Sequence, residues 1–228
     1  MKADKYLLGV AYYPEHAHPG SWGGDFKLMN ELGVNAVRMG EFAWSAFEPR
    51  KGAREFAWME KAIDLAAENG IGTVLCTPTA APPPWLRKAR PDILGGNERG
   101  PFSYGARKGS CLSCNDFTDA ALALVTDMAA RFAGNPNVLA WQLDNEPGFP
   151  FVCYDANCLA AFRLWLQKKY GALEKLNAAW FTAFWSHGYS SWDEIEFPVN
   201  RADGAWNPGQ KLDYRRFFSE TFSCYLSK

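Results

Sequence analysis

The sequence has no apolar run near the roughly 20 residues of a membrane helix, no low-complexity segment and no obvious repeat. Spanning, fibrous and solenoid classes are therefore excluded. Neither sign of charge dominates: 24 Lys and Arg stand against 25 Asp and Glu. That balance leaves no electrostatic footprint for nucleic acid or for an anionic membrane. Histidine is scarce, and His16, His18 and His187 are too scattered for a metal triad. Six cysteines in 228 residues do not make a disulfide framework. Lys2 and Lys5 precede an apolar run from Tyr6 to Tyr13, but the run is short and no small-residue cleavage site follows it. Pro14-Glu15-His16 ends it, so a first strand and a cytoplasmic protein are expected.

What is present is a chain able to bury a core, with 48% apolar and 21% charged residues. Aromatics reach 15%, with ten Trp, which suits a sugar-binding cleft and an ordinary core equally. The order of elements is more informative. Leu7–Tyr12, Ala36–Met39, Thr73–Thr77 and Val138–Leu143 read as strands. Between and after them, Trp22–Leu32, Phe56–Asn69, Asp119–Phe132 and Ala156–Tyr170 read as helices, each closed by a following glycine. Apolar strands alternating with amphipathic helices predict a parallel sheet with crossover helices.

No Gly-rich phosphate fingerprint follows the first strand, and the long polar loops all follow strands. A (β/α)8 TIM-barrel type is favoured over a doubly wound sheet, because barrel active sites sit on those loops. Four units occupy about 165 residues, so eight would need more than the ~250 of a typical barrel. The tail after residue 172 offers two further helical stretches and at most one short strand. The chain is thus expected to hold only about the first four βα units plus extra helices.

The strongest chemical candidate is Trp141-Gln-Leu-Asp-Asn-Glu-Pro-Gly148, an apolar strand running into three polar residues. In a barrel that end is the active face. Asn145 and Glu146 should point in different directions, and Glu146 could act as a general acid with its pKa raised by burial. The alternative is a strand cap and turn. Glu41, at the end of the second strand, reads equally as an active-site carboxylate or as a supporting hydrogen-bond acceptor. Cys111-Leu-Ser-Cys114 and Cys153-Tyr-Asp-Ala-Asn-Cys158 are two close thiol pairs that could give a tetrahedral zinc site, or could be free thiols. Cys76 and Cys224 read as small core hydrophobes. Asp213, Arg215 and Arg216 read as a solvated helix face, and Pro82-Pro-Pro-Trp85 as scaffold.

Asn145-Glu-Pro-Gly148 after a Trp-Gln strand, with Gly9-Val-Ala-Tyr-Tyr-Pro-Glu15, Gly33-Val-Asn-Ala-Val-Arg-Met-Gly-Glu-Phe-Ala-Trp-Ser45 and Thr77-Pro-Thr-Ala-Ala-Pro-Pro-Pro-Trp-Leu86, closely resembles the β-galactosidases of glycoside hydrolase family 42. The resemblance runs from about residue 7 to the C-terminus. It implies that residues 1–228 are the N-terminal portion of a (β/α)8 catalytic domain of a retaining enzyme acting on β-galactosides. It implies Glu146 as acid/base, Asn145 as the residue that hydrogen-bonds the sugar 2-hydroxyl, and Arg38 as a group near the nucleophile. It implies Trp185 as the lining of the galactose subsite, with Trp180 as the substitute. It also implies a structural zinc on Cys111, Cys153 and Cys158, with Asp155 where a cysteine is usual and Cys114 as the rival fourth ligand. No other cofactor is implied, and no nucleic-acid or membrane partner.

No residue aligns with the strand-7 nucleophile, and Glu194, Glu196 and Glu220 do not carry its motif. A truncated frame, a gene fragment or one piece of a split enzyme is expected, with negligible hydrolysis by this chain alone. The rival expectations are a carbohydrate-binding remnant or pseudoenzyme, and a half-barrel that assembles with itself or with a second chain.

Overall fold

The computed structural model describes residues 6–148, 153–199 and 206–228. Lys2 and Lys5 lie outside the described residues. Contacts divide the chain into two compact units. The first comprises 1–89, 106–108 and 119–146, and the second 90–105, 109–118 and 147–228.

The first unit is built on four parallel strands: β1 (Gly9–Ala11), β2 (Ala36–Met39), β3 (Gly72–Cys76) and β4 (Val138–Gln142). Their spatial order is their chain order. Val10 sits beside Val37, Arg38 beside Val74, and Leu75 beside Trp141. A doubly wound sheet reverses direction at a switch point, whereas a barrel adds each strand beside the last. The expected barrel type is what the sheet shows. β1 and β4 each have one neighbouring strand among the described residues. Accordingly Leu7, Leu8, Val10, Leu139 and Leu143 stay exposed, whereas Val37, Met39 and Leu75 are fully buried.

Helices α1 (Trp22–Glu31) and α2 (Ala57–Glu68) connect the first three strands. In α2 the residues Met59, Ala62, Ile63 and Ala66 are all fully buried, the spacing of one helical face. Phe26 of α1 is buried too, and Trp22 Nε1 donates to the Pro14 carbonyl at 3.1 Å. Helix α3 (Asn115–Phe132) starts four residues before the expected Asp119. The Cys114 carbonyl accepts from Thr118 N at 3.1 Å, so the helical ladder is already running there. Trp85 Nε1 donates to the Glu48 carbonyl at 2.9 Å, which makes the proline-rich segment a scaffold as expected.

The second unit contains α4 (Ala156–Tyr170), α5 (Leu173–Trp180) and α6 (Pro208–Leu226). Its described tail after residue 172 holds two α-helices, two short 3-10 turns and no strand. Tyr214 is buried against the rings of Phe162, Phe197 and Tyr154 at 5.2–5.5 Å. Asp213 corrects the expectation of a solvated face: it is only 2% exposed. Its carboxylate accepts from Tyr170 Oη, from Trp180 Nε1 at 3.1 Å, and from Lys169 and Arg216. Burial pushes its pKa up, but the bonds from Lys169, Tyr170 and Trp180 outweigh burial and hold it below the ordinary value. Cys76 is buried as expected, whereas Cys224 is exposed on α6.

One glycine controls how β2 delivers its chain to the sheet's C-terminal end. Gly40 has φ +92°, and a Cβ there would stand 3.2 Å from the Cys76 carbonyl oxygen and 3.3 Å from Met59 Cε. Gly40→Ala is expected to cost about 1–3 kcal/mol. Chemical denaturation checks this, and an unchanged midpoint would contradict it.

Candidate active site

Four short segments of the first unit meet at the C-terminal ends of the parallel strands. Tyr13 follows β1, Arg38 is on β2 and Glu41 lies just beyond it, Arg107 and Lys108 come from the loop after β3, and Gln142 to Glu146 close β4. Glu41 is the shared partner of Tyr13, Arg38, Gln142 and Asn145 and is 3% exposed. Its Oε2 accepts from Arg38 Nη2 and from Tyr13 Oη, both at 2.9 Å. Its Oε1 accepts from Gln142 Nε2 at 3.4 Å. With the Asn145 amide turned so that both its atoms are satisfied, Asn145 also donates to Oε1 and accepts from Arg107 Nη1 at 3.2 Å. Arg38 Nη1 further donates to Gln142 Oε1 at 3.0 Å.

Four donors fill the acceptor sites of the Glu41 carboxylate. At 3% exposure, little of a carboxylate so surrounded is open to a substrate atom. The two equal readings of Glu41 therefore resolve toward the supporting acceptor. Arg38 is at once an ion-pair residue and, at 38% side-chain exposure, accessible from the cleft.

The turn after β4 separates its two polar residues. Asp144 and Glu146 adopt φ of +55° and +47°. Thr79 Oγ1 donates to Asp144 Oδ2 at 3.0 Å, and Asp144 N donates to Thr77 Oγ1 at 2.7 Å. Asn145 goes inward and is 3% exposed, while the Glu146 side chain is 63% exposed. Divergent directions were expected; burial of Glu146 was not found. The Lys108 ammonium pairs with its carboxylate and holds its pKa below the ordinary value, with smaller help from Arg107 and Arg38. The carboxyl that burial raises is instead Glu15, whose two oxygens are buried without hydrogen-bond partners. His16 Nε2 stands 4.0 Å from Glu15 Oε1, and the His16 ring stacks on Tyr13.

In the second unit, Trp185 is 58% exposed on a turn with φ +58° and touches Phe184 and His187. Trp180 is 3% exposed and bonded to Asp213. Of the two tryptophans, Trp185 is the one with a face available.

The thiols resolve in the same unit. Ligand atoms of Cys111, Cys153, Asp155 and Cys158 lie within 4.8 Å of one another, while Cys114 falls with Asp92 and Asp116. Asp155, not Cys114, completes the set. Asp155 Oδ1 caps α4 by accepting from Asn157 N at 2.7 Å and Cys158 N at 3.1 Å, and Oδ2 faces Cys153 Sγ at 2.5 Å. Cys111 and Cys158 sulfurs are 3.5 Å apart. Hydrogen bonds from Cys111 and Cys158 hold the Cys153 thiol well below its ordinary value against burial. A Cβ at Gly95 would come within 2.4 Å of Cys153 Sγ, so the cradle tolerates no side chain there.

Sequence reading missed Arg107 and Lys108. Their signal was two adjacent cations in Gly105-Ala-Arg-Lys-Gly109, on a loop that follows a strand.

Glu15 yields a pH test. Its raised native pKa means the folded chain holds more protons than the unfolded one, so its charge costs stability as pH rises above the unfolded value near ~4.3. Glu15→Gln should raise the melting temperature at neutral pH and leave it unchanged near pH 4. Thermal melts at both values check this; an equal effect at both would contradict it.

A family model described as beta-galactosidase, of glycoside hydrolase family 42, matches residues 11–228. Beta-galactosidase of Thermus thermophilus is 42% identical over 217 residues, 94% of this chain and 34% of that protein. Beta-galactosidase Bga of Halorubrum lacusprofundi is 39% identical, over 94% of this chain and 31% of its own length. The crystal structure of the beta-galactosidase from the psychrophilic Marinomonas ef1 superposes with a TM-score of 0.91 at 39% identity, over 96% of this chain and 34% of that one. The chain therefore spans about a third of the length of the curated relatives it matches.

Proposed function

The chain belongs to family 42 of the glycoside hydrolases, and on that premise we propose that it is the acid/base-bearing part of a retaining β-galactosidase acting on terminal non-reducing β-D-galactosides. The observation that carries the reading is the arrangement after β4. Asn145 is fixed inward by Glu41 and Arg107, with Glu146 turned to solvent beside it and paired with Lys108. In this reading Glu146 gives its proton to the glycosidic oxygen and later takes one from water. Asn145 holds the sugar 2-hydroxyl, and Arg38 keeps a nearby carboxylate ionised. On the second unit, the exposed face of Trp185 is an aromatic surface of the kind that takes the apolar side of a sugar.

A retaining enzyme also needs a nucleophilic carboxylate about 5–5.5 Å from the acid. Glu41 is buried in its network of donors and reads as a supporting acceptor, so we assign the covalent step to no residue of this chain. Hydrolysis by the chain alone is accordingly negligible in this account.

Cys111, Cys153, Asp155 and Cys158 fit a structural zinc in number, donor type and mutual distance. Such an ion would fasten the loop after β3 to the start of α4, and four protein ligands would leave it no position for substrate. Asp155 would keep α4 capped with its other oxygen. Six free thiols suit a reducing compartment, in keeping with the cytoplasm. Among the described residues no helix is long and apolar enough to cross a membrane. The single-neighbour strands β1 and β4 leave room for a homo-oligomer.

Hydrolysis of a chromogenic β-galactoside by wild type and Glu146→Gln tests the catalytic reading. No turnover by either, with saturable galactose perturbation of the Asn145 side-chain amide in NMR, is expected. Turnover that Glu146→Gln leaves intact would overturn the acid/base assignment. Turnover lost with Glu146 would place the nucleophile within this chain. For the metal, about one zinc per chain is expected by elemental analysis, falling to none in Cys158→Ser, with a lower melting temperature after chelation. A zinc-free wild type purified with zinc present would contradict the site.

A further inference from the structure

Glu146 meets an unusual partner. The Lys108 side chain is only 8% exposed, whereas the Glu146 carboxylate it pairs with is 63% exposed. A largely buried lysine side chain therefore reaches out to a solvent-facing acid. Lys108 Nζ also lies 3.4 Å from the Glu146 carbonyl oxygen, so it grips the residue at both its backbone and its side chain. Both partners sit in left-handed backbone conformations, Lys108 at φ +61° and Glu146 at +47°. The surrounding structure must hold these positions, since each costs energy for a non-glycine residue. The Lys108 amide donates to the Ala80 carbonyl at 2.7 Å. That bond ties the loop bearing Lys108 to the segment that follows β3. The other charges that reach Glu146 are Arg107 and Arg38, and both of these cations are engaged with the Asn145–Glu41 network.

We propose that Lys108 is a positioning residue: it docks Glu146 on the loop after β3 as an ion-pair latch, which substrate must open before Glu146 can act as an acid. The proposal rests on the reading of Glu146 as the acid/base. While the latch is closed the carboxylate is ionised and has no proton to give. A sugar whose glycosidic oxygen takes the place of the ammonium removes the charge that favours the ionised form, and Glu146 then takes up a proton from solvent. Acid strength is thereby tied to occupancy of the site, and the exposed resting carboxylate is consistent with a later role as acid. Lys108 itself touches neither bond made nor bond broken.

The test is the titration of the Glu146 side-chain carboxyl by carbon-13 NMR in the full chain, assigned with Glu146→Gln. In wild type the midpoint should lie below the ordinary glutamate value of about 4.3. It should rise by about half a unit or more in Lys108→Met, and stay low in Lys108→Arg, which keeps the charge. High salt should raise the wild-type midpoint, because the carboxylate side of the pair is open to solvent. This last measurement needs no variant to fold. A wild-type midpoint at the ordinary value, or one indifferent to both salt and Lys108→Met, would overturn the latch. Those readouts do not depend on turnover, so failure of the acid/base reading, seen as hydrolysis indifferent to Glu146→Gln, is separately visible.

Discussion

A single buried carboxylate organises the functional end of the sheet. Glu41 stands just past β2 and receives hydrogen bonds from the ends of β1, β2 and β4. The backbone ladders of parallel strands run out within a residue or so of the strand ends, as at Tyr12 N to the Arg38 carbonyl and Thr77 N to the Gln142 carbonyl. Beyond them, loop residues need some other restraint if they are to hold still within a fraction of an ångström. An ionised group inside a protein is costly unless its oxygens are fully bonded. Glu41 converts that cost into geometry: its donors cannot leave without stranding the charge. Arg38, Gln142 and Asn145 thereby become fixed points, and Asn145 passes the restraint on to Arg107.

Glu146 behaves differently because it lies outside that network. The turn at Asp144 and Glu146 sends alternate residues to opposite sides, so one neighbour is clamped and the other is left in solvent. On the proposed reading of Glu146 as acid/base, a residue that exchanges protons with substrate and water is better served by exposure, provided something holds it in place at rest. The nearby cations fill that role through charge rather than burial. The second unit uses the same device for structure alone. Asp213 is buried and saturated by Lys169, Tyr170, Trp180 and Arg216, and it pins three helices together.

Much of this was legible in the sequence. The alternation of strand and helix, the punctuating glycines and the lack of a phosphate loop predicted a barrel-type sheet, and the consecutive strand order bears that out. The family was carried by long motifs, and the family model bears it out over residues 11–228. Less legible were properties set by distant partners. Asp213 read as solvated because a helix face can be judged only by what packs on it. Cys224 read as core for the same reason. The choice between Asp155 and Cys114 required knowing which side of the loop each thiol faces. Burial of Glu146 was inferred from its apolar strand, but a two-residue excursion into left-handed backbone reverses a side chain's direction, and composition does not announce it. Lys108 and Arg107 left only the weak signal of two adjacent cations, because a loop cation has no periodicity.

The central claim is that the Glu41 carboxylate couples the end of β2 to the end of β4. A double-mutant cycle of Glu41→Gln and Asn145→Ala, read by urea denaturation, measures that coupling directly. The account predicts an interaction energy of about 1 kcal/mol or more, because each change removes a bond that the other residue also makes. Additive effects within about 0.3 kcal/mol would contradict it.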